Sequence, residues 1–207
     1  MISMRHYFDE VSALLSHVDE DRVAEILELF WSCYERGGRL VICGNGGSAA
    51  TASHFATDLQ KGLSFGIVGA RPWEVLSLGE SVPLLTAWSN DTEYANVFAA
   101  QARCWLRPGD LLLAISGSGN SPNVVNAVAA AAERGATSIA WAGFGGGNLA
   151  DAADFSIVLH SREMQQIEDV HMILAHGFFC LLRNRLVATH RSGSREIPAL
   201  SVLVNRN

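Results

Sequence analysis

Two patterns in this sequence pair residue types that do chemistry with spacings that let them act together. The first is SGSGNS at 116–121, which directly follows the apolar run LLLAI and directly precedes PNVVNAVAAAAERG. Glycine lets backbone approach a ligand closely, and serine adds hydroxyl donors. A following helix offers unpaired N–H groups and the positive end of its dipole. The stretch reads as a phosphate cradle, with Ser116, Gly117, Ser118 and Ser121 in contact and Asn120 or the Gly119 backbone adding to them. The alternative is a tight turn whose serines only cap the next helix.

The second pattern is a set of histidines and carboxylates at helical spacing. His54 and Asp58 are four apart, on one helix face, where they could bind a divalent metal or act as an acid–base pair; on spacing alone a surface helix pair, or a core histidine held by a neighbour, is the favoured alternative. In QQIEDVHMILAH (165–176), Glu168 and His176 lie roughly two turns apart. His171 and His176 differ by about 140° around the axis, so the two histidines do not enter one site. Seven residues before His176, Asp169 is better aligned with it than Glu168, although both acids could simply favour the dipole at the helix start. Asn90-Asp91, closing the apolar run PLLTAWS, reads as a third polar insertion at a strand's carboxyl end. It either caps the next helix or orients a substrate hydroxyl.

The elements that must carry these residues alternate. After helical periodicity over the first 37 residues come the strand-like RLVICG (39–44), WEVLSL (73–78), LLLAI (111–115), TSIAWAG (137–143) and DFSIVLH (154–160). Helices are read over 48–62, about 93–106, 123–135 and about 164–186. Uninterrupted apolar strands separated by helices imply an α/β fold with a parallel sheet covered on both faces. Ligands of such sheets sit outside the carboxyl ends of the strands, where this chain places GNGGS (44–48), SGSGNS and GFGGGN (143–148).

Composition closes off other classes. With 207 residues and no internal linker the chain reads as one domain, and a net charge of −6 without a basic stripe argues against a nucleic-acid partner. Four scattered cysteines without a CxxC pair indicate neither zinc ribbon nor redox dithiol and fit a reducing cytoplasm. No run approaches the roughly 18 apolar residues of a membrane span. Charged residues are only 17%, which suggests extensive burial, including at subunit interfaces. GNGGSA (44–49) and GGGNLA (145–150) both match the dinucleotide pattern G-x-G-x-x-G/A, but the acid expected about 20 residues on is missing, Glu74 being late and at a strand's start. There is no G-x-x-x-x-G-K-[ST].

Taken together, GNGGSAATASHF, SGSGNSPNVVNAV and IEDVHMILAH resemble the sugar-isomerase (SIS) domain, and within it the phosphoheptose isomerases, over roughly residues 5–186. The resemblance implies a flavodoxin-like five-stranded sheet in an SIS domain at 38–186. An N-terminal helical segment (1–37) would pack in the oligomer, and 187–207 would be a tail or arm. It implies aldose–ketose isomerisation of sedoheptulose 7-phosphate in a cytoplasmic homotetramer, with active sites between subunits and one zinc ion per subunit. The serine loop would hold the phosphate with Ser48, while Asn45 and Gly46 of the first loop, Asn90, Asp91 and Glu168 would line the substrate site. Asp58 would be the base and His176 its partner acid, with His54, Asp58, Glu168 and His176 as metal ligands. The chain departs from the family pattern at Asp58 (family Glu), Glu168 (family Gln), Lys61-Gly62 (family Arg) and Gln165 (family Asp). These changes leave open another sugar phosphate as substrate. Also open is a non-catalytic SIS protein that binds a partner, such as a replication initiator, or senses a sugar phosphate.

Overall fold

Strands β1 (Leu40–Gly44), β2 (Val75–Ser77), β3 (Leu111–Ser116), β4 (Thr137–Ala142) and β5 (Phe155–Val158) pair in parallel in the order β2-β1-β3-β4-β5. This computed structural model describes residues 3–191. β1 and β3 are buried along their whole length, as central strands of a doubly covered sheet must be. Side chains alternate: Leu111, Leu113 and Ile115 enter one apolar cluster, and Leu112 and Ala114 enter the other.

The first face is covered by α1 (Met4–Ser16), α2 (Glu20–Arg36), α3 (Gly46–Thr57) and α8 (Met164–Arg191). The second is covered by α5 (Val97–Trp105), α6 (Pro122–Glu133) and α7 (Gly147–Ala152). Local chemistry sets the ends of α2. The Asp19 carboxylate accepts from the amides of Asp21 and Arg22, and Gly37 adopts a left-handed φ of 82° beyond the last turn. Four rings lock the first face: Phe30 lies 5.2 Å from Phe178, and Trp141 stacks at 5.8 Å on Phe55 and at 5.7 Å on Phe178. Phe55 sits beside His54 in α3, and Phe178 follows His176 in α8, so this cluster sets the distance between the two histidines.

The fold corrects the sequence reading in two places. PLLTAWSND is helical, in α4 (Val82–Asp91), because Ser81 caps the segment by accepting from the Leu84 amide and Pro83 presets its first turn. Asn90 and Asp91 therefore close a helix and do not stand at a strand's carboxyl end. α8 runs on to Arg191, beyond the boundary read at 186, and the rest of the expected tail, 192–207, lies outside the described residues. At Asp58–Gly62 the chain widens from α3 into a π-turn, a local register change that recurs at functional sites.

His171 lies in the core against Trp141, and among the described residues none of Trp141 Nε1, His171 Nδ1 and His171 Nε2 has a hydrogen-bond partner. Burial pulls its pKa from 6.5 down to about 4. Below pH 6.5 the unfolded chain takes up a proton that the folded chain refuses, so stability is full above 6.5 and drains away as the pH falls toward 4. The whole loss is about 3 kcal/mol. Urea unfolding should show His171→Leu gaining on the parent at pH 5 and equalling or slightly exceeding it at pH 8. An identical difference at both pH values would remove His171 from the acid response.

Candidate active site

Strand order turns at β1: β2 lies to one side and β3 to the other, so the crevice between the carboxyl ends of β1 and β3 is the switch point of the sheet. Gly44 and Ile115 are register partners there, and the loops GNGGS and SGSGNS leave from them side by side. Between the loops lies a cleft of about 220 Å³ lined by Asn45, Gly46, Ser48, Ser116, Gly117, Ser118, Ser121 and Glu168, among others. The expected Asn45, Gly46, Ser48, Ser116, Gly117, Ser118 and Ser121 are thus brought together with Glu168, whereas Gly119 and Asn120, expected to add to them, do not line the cleft.

The alternative of serines that only cap the helix fails on geometry. Ser121 makes no side-chain cap bond to α6, because its hydroxyl accepts from Ser116 Oγ at 3.2 Å. Ser118 Oγ lies 3.4 Å from Ser116 Oγ and accepts the Asn120 amide at 3.2 Å. Asn45 likewise gives α3 no side-chain cap. Two helix N-termini therefore open into one cleft, with four serines and no lysine or arginine among the lining residues. That arrangement suits an anion, and a phosphate above all.

Three features that the sequence did not reveal hold this cradle. Asn45 and Asn123 exchange reciprocal amide bonds of 2.9 Å, and the Tyr94 hydroxyl donates to Asn45 Oδ1 at 2.9 Å. The only available signal was a polar residue, Asn123, interrupting the apolar start of α6. The third glycine loop does not line the cleft. It braces the second loop from behind: the Gly143 and Leu149 amides donate to the carbonyls of Gly117 and Gly119, and the Asn148 amide to the Asn120 side chain. Asn120 is thereby turned away from the cradle. Lastly, Glu168 lies so close over the first loop that a Cβ on Gly47 would fall 2.3 Å from its carboxylate. Asn123→Ala would leave Asn45 held by Tyr94 alone. Unfolding titrations should show a loss of about 1–2 kcal/mol, and kinetics a rise in KM larger than the fall in kcat.

α3 and α8 run side by side in the same direction: Gly47 faces Glu168, His54 and Asp58 face His176, and Arg183 donates to the carbonyls of Leu63 and Phe65 beyond the π-turn. His54 Nε2 lies 2.9 Å from His176 Nε2 and 3.4 Å from Asp58 Oδ2, and His176 Nε2 lies 4.0 Å from the same carboxylate oxygen. The donors of these three half-exposed or partly buried groups all fall within 4.8 Å of one another. Two imidazole nitrogens and a carboxylate facing a common point form a donor set that fits a zinc ion.

Glu168 does not join this cluster, so the expected four-ligand set is reduced to three within the chain. It stands two turns earlier on α8, about 12 Å along the axis. Asp169, although aligned with His176 along α8, does not join the cluster either: its carboxylate accepts from the Tyr7 hydroxyl of α1 at 2.6 Å. His171 stays in the core, as its angular offset required. Asn90 Nδ2 donates to Asp91 Oδ1 at 2.9 Å, and neither residue lines the cleft of the single chain.

Comparison with known proteins shows the family. The SIS domain family matches residues 6–143. A phosphoheptose isomerase of Mycobacterium tuberculosis (strain ATCC 25177 / H37Ra) is 40% identical over 175 residues, covering 82% of this chain and 88% of that protein. The structure of a phosphoheptose isomerase from Neisseria gonorrhoeae superposes with a TM-score of 0.77 at 32% identity, over 87% of this chain and 97% of that one. That of a phosphoheptose isomerase from Francisella tularensis gives 0.81 at 26% identity, over 87% and 96%.

Proposed function

The chain belongs to the SIS-domain family, in its phosphoheptose isomerase branch, and on that footing we propose that it interconverts sedoheptulose 7-phosphate and D-glycero-D-manno-heptose 7-phosphate. One observation carries the reading: a phosphate cradle and a histidine–aspartate cluster are strung along the same pair of parallel helices. From Gly47 to His54 the groove advances about 10 Å, a span that an extended seven-carbon sugar phosphate covers from phosphate to carbonyl.

With the phosphate in the serine loop, the C1–C2 end of the ketose reaches Asp58 and His176. The Asp58 carboxylate takes a proton from C1, the C1–C2 double bond forms, and the C2 oxygen takes a proton from His176. In the resulting cis-enediol His176 recovers a proton from the C1 hydroxyl as Asp58 returns its proton to C2, which yields the aldose. His54, Asp58 and His176 would hold zinc, which when bound supplies a Lewis acid for the sugar oxygens. Asp58 is better placed than Glu168 for the base role, because Glu168 sits at the phosphate end of the groove.

The assembly we propose is a homotetramer with its active sites between subunits. Supporting it, Met4, Phe8, Ile173 and Leu181 expose large apolar side chains on α1 and α8. No described helix is long and apolar enough to cross a membrane, and the cytoplasm is the compartment we propose.

Proton NMR with sedoheptulose 7-phosphate in D2O, run with zinc and with a chelator, tests the reaction. A zinc-dependent aldose signal with deuterium entering the adjacent carbon is expected. Folded, zinc-loaded protein that gives neither product nor exchange with this or other ketose phosphates would make the chain a binding protein.

A further inference from the structure

We propose that the opposite end of the sheet, at the amino ends of β1, β2 and β3, carries a second site, and that it takes a nucleotide. Five arginines gather there, Arg36, Arg39, Arg71, Arg107 and Arg134, in a chain whose net charge is −6. Arg71 lies over the Tyr34 ring at 4.7 Å, near the end of α2, and Arg134 donates to the Leu106 carbonyl beside Arg107. Two acids face them. The buried Asp110 carboxylate accepts the backbone amides of Arg39 and Arg107 at 2.8 and 2.9 Å, so it is committed to the loops themselves. Glu74 pairs with Arg39 at 2.8 Å, but its side chain is 71% exposed, and such a pair exchanges readily for a stronger anion. Arg36 and Arg39 otherwise donate to the carbonyls of Gly109 and Trp105, while the Arg107 guanidinium has no partner among the described residues. The result is a local positive field on an acidic protein.

These groups rim a cavity of about 300 Å³. A second, apolar cavity of about 340 Å³ adjoins it and shares Arg39 and Glu74, and its walls include Val75, Leu76, Trp73 and Trp105. Trp105 is 44% exposed. Together the two have the size of a small-molecule site. Guanidinium forks match phosphate oxygens, and an open indole face offers a surface on which a flat base can stack. A sugar phosphate would leave the apolar half wet, and an apolar peptide would leave the arginines without an anion. A nucleotide satisfies both halves.

Calorimetric titration of the full chain with ADP, adenosine and inorganic phosphate is the test, and it reads binding, so it stands whether or not the isomerase assignment does. ADP should bind at least about tenfold more tightly than either fragment. Arg107→Gln and Trp105→Ala should each weaken ADP about tenfold, leaving isomerase turnover without nucleotide unchanged, while Ser118→Ala should bind ADP as the parent does. The proposal falls if ADP gives no heat, if phosphate alone binds as tightly as ADP, or if Ser118→Ala abolishes ADP binding, which would place the nucleotide in the phosphate cradle.

Discussion

Asp58→Asn should lower kcat about 1000-fold while KM for the sugar phosphate changes little, the loss of a general base from an otherwise intact site. The substitution keeps the size of the side chain and an oxygen 3.4 Å from His54 Nε2, and removes only the capacity to take a proton. The phosphate end of the groove, about 10 Å away, is untouched, which is why binding should survive. Metal analysis of the variant separates the two duties of this carboxylate. Full zinc content with turnover gone assigns Asp58 to proton transfer. Zinc loss that accompanies the loss of turnover assigns it chiefly to ligation. Turnover within about threefold of the parent would exclude it from the chemistry and turn attention to Glu168.

Gly119→Ala should be the most damaging single methyl group in the protein. Gly119 holds φ at +67°, and a Cβ there would fall 2.1 Å from the Gly146 carbonyl oxygen and 2.6 Å from its carbon. The obstacle is backbone, which cannot rotate aside as a side chain would. Left-handed strain and overpacking together should remove about 3 kcal/mol of stability. The Gly119 carbonyl also accepts the Leu149 amide at 2.8 Å, so pushing the loops apart breaks the brace behind the cradle. Urea unfolding should show the loss, and any folded fraction should bind substrate poorly. Ser118→Ala is the contrast: it removes a phosphate donor and the acceptor of the exposed Asn120 amide but forces no backbone to move, so KM should rise about tenfold while stability falls by about 1 kcal/mol at most. Equal stability of Gly119→Ala and the parent would show that the two loops are not packed as described.

How far the sequence revealed this site depends on the range of the interactions. Apolar runs and glycine-rich turns are local signals, and they located all five strands and both cleft loops. The His54–Asp58 pair was visible because an i, i+4 spacing is a property of one helix. Asp169, aligned with His176 as its spacing indicates, stays out of the cluster for a reason just as physical. Helical phase gives the angle between two residues, but not which neighbour covers which face, and here α1 meets Asp169 while α3 meets Glu168. The α4 segment was missed because a short apolar run looks alike as a strand end or a helix; the Ser81-Val82-Pro83 start was the overlooked cue. The Asn45–Asn123 exchange links residues 78 apart in the chain, and no local pattern encodes it.

The two helix starts at the cleft have a thermodynamic consequence. A helix whose first turn lacks a side-chain cap is weaker by about 1 kcal/mol, and both α3 and α6 are left so. An anion seated in the cleft would give those amides the partner that neither Asn45 nor Ser121 provides. Binding and folding are then linked. Inorganic phosphate at a hundred times its dissociation constant should raise the unfolding free energy by about 2.7 kcal/mol. The melting temperature should therefore track the phosphate content of the buffer, with or without turnover, and the shift should shrink in Ser118→Ala. In the cell, the amount of folded protein would rise and fall with the supply of its own phosphorylated sugar.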